Sequence, residues 1–353
     1  MVTPIEITAW HYAGFILAVL FFLALDLGVF HRKAHVVRFR EAIAWTAFWI
    51  SIATVFASIV SVYRGFEEGT EFVTGYLIEL SLSMDNVFVI ALVFAYFRVP
   101  SKFQHRVLFW GIVGALLMRG ALIAAGTALI QQFHWMLYVF GAFLVYSGVK
   151  MLFWDEDAGI EPEKNPIVRL TRKWFPVSAA FDEQHFTTRV AGKWALTPLA
   201  IVLVMVETTD LIFALDSIPA IFAVTQKPFI VFTSNVFAIL GLRSLYFVLA
   251  NAIEYFRFLK YGLSLVLVFI GGKMLLEMAD LKIDVVASLY IVAGILLTSI
   301  VISISSARKG GPSEEEEDAR ERAEEAEENE SEARKNVLPE SESTEPNDKA
   351  ADS

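Results

Sequence analysis

Apolar residues in this chain gather into long unbroken runs, where a soluble helix would show them once per turn and a half-buried strand at alternate positions. Windows of roughly 20 mostly apolar residues are long enough to cross about 30 Å of hydrocarbon. About nine occur, at approximately 10–30, 42–63, 72–97, 107–130, 134–153, 196–224, 229–251, 261–278 and 285–305. The pattern predicts an all-α polytopic membrane protein with about nine transmembrane helices. The first run has no basic stretch before it and no A-x-A-like site after it, so it reads as a span and not as a cleavable signal.

The connections alternate in charge. HRKAHVVRFRE after the first run, FRVPSKFQHR after the third and EYFRFLK after the seventh are basic, whereas YRGFEEGTEF after the second and EMADLKID after the eighth are acidic. The positive-inside rule then places the N-terminus outside and the C-terminus in the cytoplasm. On that reading Ser101 and the connection 155–195 are cytoplasmic, and Glu68 and Lys227 are exposed outside. The long connection mixes both signs with Pro162, Pro166 and Pro176; its Trp174 and Phe175 suit a membrane interface, and no chemistry is evident in it.

Composition agrees with this reading and divides the charge. The chain is 56% hydrophobic with a mean hydropathy of +0.55. The net charge of −10 is misleading as a single figure, because 17 acids against 5 bases lie from Ser313 onward and leave the remainder slightly positive. That tail has few aliphatic and no aromatic residues, and it reads as disordered and solubilising. There is no Cys, so no disulfide or thiolate chemistry is available to the chain.

The runs also repeat. SMDNVFVIA around Asp85 matches TTDLIFALD around Asp210, LLMRGAL around Arg119 matches LGLRSLY around Arg243, and YSGVKMLF around Lys150 matches FIGGKMLLE around Lys273. The offsets are 125, 124 and 123 residues, and a shared Asp, Arg and Lys in the same order is hard to obtain by chance. Each copy holds three spans, an odd number, so the second must enter the membrane from the opposite side. This is the inverted 3+3 repeat by which many secondary transporters place a substrate site near the bilayer midplane. The expected organisation is two N-terminal spans (1–64), the first repeat (65–154), the cytoplasmic loop (155–195), the second repeat (196–282), a ninth span (283–307) and the acidic tail (308–353).

Within the runs lie residues that lipid does not tolerate. A carboxylate at a helix centre costs roughly 2.5–3.5 kcal/mol on insertion scales, and Glu79, Asp85, Glu207, Asp210 and Asp216 all fall inside spans. Arg119 and Arg243 can neutralise two of them as buried ion pairs; Lys150 and Lys273 lie nearer span ends, and Lys273 has Glu277 four residues on. The surplus negative charge suits a divalent cation, or the acids can be neutralised by protonation and carry protons. Glu79, Ser83 and Asn86 share one helix face, with Asp85 turned away beside Ser81; Glu207 and Asp210 share another, with Asp216 nearly opposite Glu207. The MDN segment and Pro219 suggest local unwinding that would add backbone carbonyls.

The candidate ligands are therefore Glu79, Asp85, Asn86, Glu207, Asp210, Asp216 and Asn235, with Arg119, Arg243, Lys150 and Lys273 balancing charge. Asn235 serves equally well as a helix–helix hydrogen-bonding residue. Hard oxygen donors without Cys suit Mg²⁺, Mn²⁺ or Ca²⁺. Met84 and Met205 are placed either to pack or to add one soft contact, and Asp26 reads as a snorkelling partner of Arg32 or Lys33.

ELSLSMDNVFVIALVF, VETTDLIFALDSIPAIFAVT and NVFAILGLRSLYF resemble the signature regions of TerC-family membrane proteins, named for tellurium resistance; the resemblance covers roughly 65–278. It implies a bacterial inner-membrane protein of the LysE-like transporter group, some of whose members are linked to manganese export, and an association with tellurite resistance and with metal supply to secreted proteins. The family's acidic motif positions carry over onto Glu79, Asp85, Glu207, Asp210 and Asp216, all of them present. The expected function is export of Mn²⁺, or of Ca²⁺, by a secondary transporter coupled to protons, with no tightly bound cofactor. The alternative is a non-transport membrane partner that hands metal to secreted proteins or organises a stress-response complex with membrane or secretion-machinery partners. No Walker-type loop, H-E-x-x-H or activated nucleophile occurs, so an enzyme and direct ATP drive are not expected. The lipid bilayer and a divalent metal are the expected partners, and no nucleic acid is.

Overall fold

Backbone polar groups in hydrocarbon must be satisfied within their own segment, and the computed structural model accordingly turns each apolar run into a helix. The structure describes residues 6–25, 39–153, 165–178, 180–190, 192–250, 259–277, 281 and 283–309. In chain order the elements are α1 (Ala9–Leu25), α2 (Phe39–Arg64), α3 (Phe66–Tyr96), α4 (Ser101–Gln132), α5 (Met136–Phe153), α6 (Pro166–Trp174), β1 (Thr187–Val190), β2 (Lys193–Leu196), α7 (Pro198–Phe222), α8 (Pro228–Ala250), α9 (Leu259–Glu277) and α10 (Val285–Lys309). Among the described residues, eight helices are long and apolar enough to span a membrane, α2 to α5 and α7 to α10. α1 is apolar but shorter, at 17 residues. The protein is a multi-pass, all-α membrane protein.

Helix boundaries follow local chemistry. Pro166 and Pro198 occupy first-turn positions of α6 and α7, where a missing N–H costs nothing. A single residue, Gly65, separates α2 from α3, and its φ of 106° is a backbone conformation that side-chain-bearing residues rarely adopt. Along α2, the hydroxyls of Thr46, Ser51, Thr54, Ser58 and Ser61 each donate to the carbonyl four residues back, which satisfies them inside the span. The long connection between α5 and α7 holds the amphipathic helix α6 and the antiparallel β1–β2 hairpin, with Thr187 opposite Leu196 and Val190 opposite Lys193.

The bundle described here belongs to the unit Met1–Ile304; of the second unit, Ser305–Ser353, only the end of α10 is described. α3 packs on α7 and α8, α4 on α7 and α8, and α5 along α9, while α2 lies against α3 and α8. At the α5–α9 interface Gly141 faces Gly271 and Gly148 faces Ser264. The partner numbers fall as α5 rises, so these two helices run antiparallel. A Cβ on Gly271 would come within 2.7 Å of the Gly141 carbonyl oxygen, so this close approach depends on small residues.

The apolar core divides into layers. One layer takes Ile78 and Leu82 of α3, Ile123 of α4 and Ala214, Ile218, Ile221 and Phe222 of α7. Another takes Val87 to Phe94 positions of α3, Phe103 and Val107 of α4 and residues 199–206 of α7. Between them on α7 fall Glu207 and Asp210, and on α4 falls Arg119. A polar layer therefore lies inside the bundle with hydrocarbon-like packing to either side.

Three expectations are corrected here. α3 is continuous through Asp85 and Asn86, and Pro219 lies inside α7 without breaking it. Unwinding would strip backbone groups of partners where water is scarce, and Pro219 is close enough to the helix end to leave few bonds at stake. Glu68 is not an exposed loop residue but a buried one in the first turn of α3, held by Arg64 and Lys227. Asp26, Arg32, Lys33 and the acidic tail from 310 onward lie outside the described residues.

Candidate functional site

Arg119, on α4, is 3% exposed and organises the polar layer. Its Nη2 and Nε donate to the two carboxylate oxygens of Asp210 at 2.8 and 3.1 Å, a bidentate fork. Its Nη1 pairs with Glu79 Oε1 and lies 3.5 Å from the Ser217 hydroxyl. Asn86 Nδ2 donates to Asp210 Oδ1 at 2.7 Å. One guanidinium thus joins a carboxylate of α3 to one of α7, and the two acids with one cation leave a negative charge in the layer.

Several buried polar atoms on α3, α7 and α8 are unused. Glu79 Oε2, Asn86 Oδ1, Glu207 Oε2, the Ser83 hydroxyl and both side-chain atoms of Asn235 are buried with no hydrogen-bond partner among the described residues. Ser83 contrasts with the α2 hydroxyls, because it does not bond back to its own helix. Burying polar atoms without partners is costly, so such a set points to a ligand or to mobile protons. Glu207 lies one helical turn before Asp210 and packs against α4 at Gly114, where a Cβ would overlap its carboxylate.

The remaining expected residues are spread more widely. Asp216, half-buried, accepts from Ser147 of α5 at 2.9 Å. Asp85 is half-buried and has interactions of its own. Arg243 is buried with its Nη2 3.3 Å from His105 Nδ1, and the His105 ring lies tilted against Phe247, with the ring centroids 4.9 Å apart. Lys150 is exposed near the end of α5, whereas Lys273 is buried on α9 within electrostatic range of Glu277, Asp284 and Glu71. Met205 is core and Met84 packs beside it. Among the described residues, no three His, Cys, Asp or Glu side chains converge as a metal centre. Glu79, Asn86 and Asp210 are brought together through Arg119; Asp216 and Asn235 are not joined to them by any hydrogen bond described.

The family model described as "Integral membrane protein TerC family" matches residues 64–310, most of the chain. The chain belongs to the TerC family. A Myxococcus xanthus relative, the uncharacterized membrane protein STKORF319, is 53% identical over 297 residues, covering 84% of this chain and 92% of that protein. An Escherichia coli K12 relative, named as a candidate membrane-bound redox modulator, Alx, is 46% identical over 301 residues, covering 83% and 93%. A Rickettsia felis membrane protein is 40% identical over 282 residues, covering 80% and 93%. No solved structure matches the chain at a significant level.

In this TerC-family chain a second polar cluster lies at the start of α3, and the sequence reading did not find it. Lys227, on the α7–α8 connection, reaches Glu71 at 3.1 Å and Glu68 at 3.5 Å; Thr225 donates to Glu71 at 2.9 Å, and Arg64 holds Glu68 at 2.7 Å. The signal was present. Glu68, Glu71, Gly75, Glu79, Ser83 and Asn86 are spaced by three or four residues, so the face that carries Glu79 extends to the helix start. All six are buried.

Proposed function

We propose that this protein is a secondary transporter that exports a hard divalent cation, Mn²⁺ or Ca²⁺, across the bacterial inner membrane. The single observation that carries the reading is the Glu79–Arg119–Asp210 bridge, in which two carboxylates from different halves of the chain share one side-chain cation within the membrane. A divalent cargo would compete with Arg119 for the same oxygen atoms, and the unpartnered oxygens of Glu79, Asn86 and Glu207 would complete its shell. Exchange of a tethered cation for a free one keeps the layer near charge balance, and carboxylates that take up protons as the ion leaves would couple transport to a proton gradient.

The inverted repeat belongs to the same reading. α5 and α9 are its third helices and run antiparallel; so do its first helices, α3 and α7. Thr225 meets Glu71 near the start of α3, and Asp210 meets Asn86 fifteen residues further along it. With the N-terminus outside and the C-terminus in the cytoplasm, a single Cys at Ser101 should be labelled from the inner face only and one at Lys227 from the outer face. Labelling of Ser101→Cys from outside would end the inverted arrangement.

The transport test is tracer efflux from proteoliposomes with Mn²⁺, Ca²⁺ or Mg²⁺ and an imposed pH gradient. The parent should carry Mn²⁺, and Glu79→Gln and Asp210→Asn should each lose most of the flux at equal protein levels. Flux equal to the parent in both would place the cargo elsewhere. A second reading is favoured by the name of the Alx relative, namely a role in redox balance. With no Cys, this chain has no thiol couple of its own, so such a role would act through metal supply or a partner protein. A purified parent that carries none of these ions would favour that reading.

A further inference from the structure

The contacts between α3 and α7, with the residues just past its end, follow one another in register. Glu71 meets Thr225, Gly75 meets Ile221, Glu79 and Ser217 meet through Arg119, and Asn86 meets Asp210. We propose that this seam is the route between the central carboxylates and the Glu71 end of the bundle, closed in this conformation by Ile221 against Gly75 and by Lys227 over Glu71 and Glu68. The inference rests on the transport reading and assigns that transport a path and a gate.

The seam has the chemistry of a path. Its α3 side is the buried row of Glu68, Glu71, Glu79, Ser83 and Asn86; facing it are Ser217 and Asp210 of α7 and, just past the end of α7, Thr225. A helix that only packed against its neighbours would present small and apolar residues here, as α5 and α9 do with Gly141, Leu144, Leu267 and Gly271. The row is interrupted at one level. Gly75 lies one turn, about 6 Å along the axis, from both Glu71 and Glu79. There, the fully buried Ile221 brings its Cδ1 to 2.9 Å from where a Gly75 Cβ would stand, with the Ser234 hydroxyl at 3.1 Å. An aliphatic side chain pressed onto bare backbone excludes water and ions, as in a hydrophobic constriction.

The outer closure differs in kind. Lys227 is 41% exposed, while the Glu71 it covers is 7% exposed. A water-facing ammonium on a flexible stem can leave a buried carboxylate without dragging the fold with it. The Ile221 seal is therefore the main barrier, and Lys227 is a latch that holds Glu71 until the seam parts.

The absence of Cys allows a direct test. Ser217→Cys puts the chain's only thiol just beneath the seal, and its reaction with a membrane-impermeant cationic methanethiosulfonate is followed in spheroplasts and in inverted vesicles. Removing the seal in Ser217→Cys/Ile221→Ala should raise the rate about tenfold from the Glu71 side alone, and Ser217→Cys/Lys227→Gln should raise it about threefold. If the Ile221→Ala protein does not fold, Ile221→Val removes one methyl and should still give about a twofold rise. Rates unchanged from the parent in the folded variants, or a rise only from the opposite side, would overturn the proposed path. The readout is chemical access, so it separates from cargo. Opening of the seam in a protein that moves no ion would refute the transport reading and keep the gate. Normal flux without any opening would refute the gate and keep transport.

Discussion

Arg119 and Lys227 each hold carboxylates from α3, and the difference between them lies in what surrounds the pair. Arg119 is 3% exposed and engages Asp210 through two nitrogens while also meeting Glu79. Lys227 is 41% exposed and meets Glu71 and Glu68 with a single ammonium. The planar fork suits a fixed buried position, and the hydrated point charge suits one that must let go. In the interior, the cost of desolvating three charges is offset only while all three stay together. At the periphery, water compensates whichever partner is left behind, so the same charge types give a weaker and more dynamic contact.

The comparison predicts a wide spread of mutational effects. The largest should come from Arg119→Ala, which strands Glu79 and Asp210 and should cost about 3–5 kcal/mol or prevent accumulation in the membrane. Arg119→Lys should recover little of this, because one ammonium cannot replace the fork. Thermal unfolding of the purified protein in detergent measures both, and a stable, well-folded Arg119→Ala protein would show that the layer is hydrated and the comparison mistaken.

Gly75→Ala should come next. The added methyl meets Ile221 at 2.9 Å, and overpacking of this kind costs about 1–3 kcal/mol. Combining it with Ile221→Val should restore part of the loss, since the valine lacks the methyl that clashes. A loss that Ile221→Val does not relieve would mean that another neighbour, such as Ser234, sets the spacing.

Ser147→Ala removes the hydroxyl that donates to Asp216 at 2.9 Å and should cost about 1 kcal/mol by the same melting assay. Smallest of all, Lys227→Gln should change stability by about 0–1 kcal/mol, with the difference shrinking further as salt is raised. If Lys227→Gln proves as costly as Arg119→Ala, the outer cluster is as structural as the inner one and the contrast between them fails.

Most of the architecture was legible in the apolar runs, because hydrocarbon permits few backbone conformations and so ties local composition to helix. The run read as 196–224 became Pro198–Phe222, and that read as 107–130 became Ser101–Gln132. α3 began earlier than expected, at Phe66, because Glu68 and Glu71 look like loop residues until Arg64 and Lys227 are seen to neutralise them. The acidic positions in the candidate site were visible from their cost alone. That Arg119 would neutralise some of them was visible too, but not which acids it takes, and neither was the continuity of α3 through Asp85 and Asn86.

What the sequence determined by itself, then, is the class of protein, the order of its spans and the residues that hydrocarbon forbids to stand alone. Each of these depends on a stretch of chain meeting its solvent, which neighbouring residues are enough to decide. Only the tertiary structure decided that Arg119 would take Asp210, 91 residues away, that Asn86 would join it from 124 residues away, and that Lys227 would cross 156 residues to Glu71. Those pairings depend on which helix faces meet and at what height, and no local pattern carries that information.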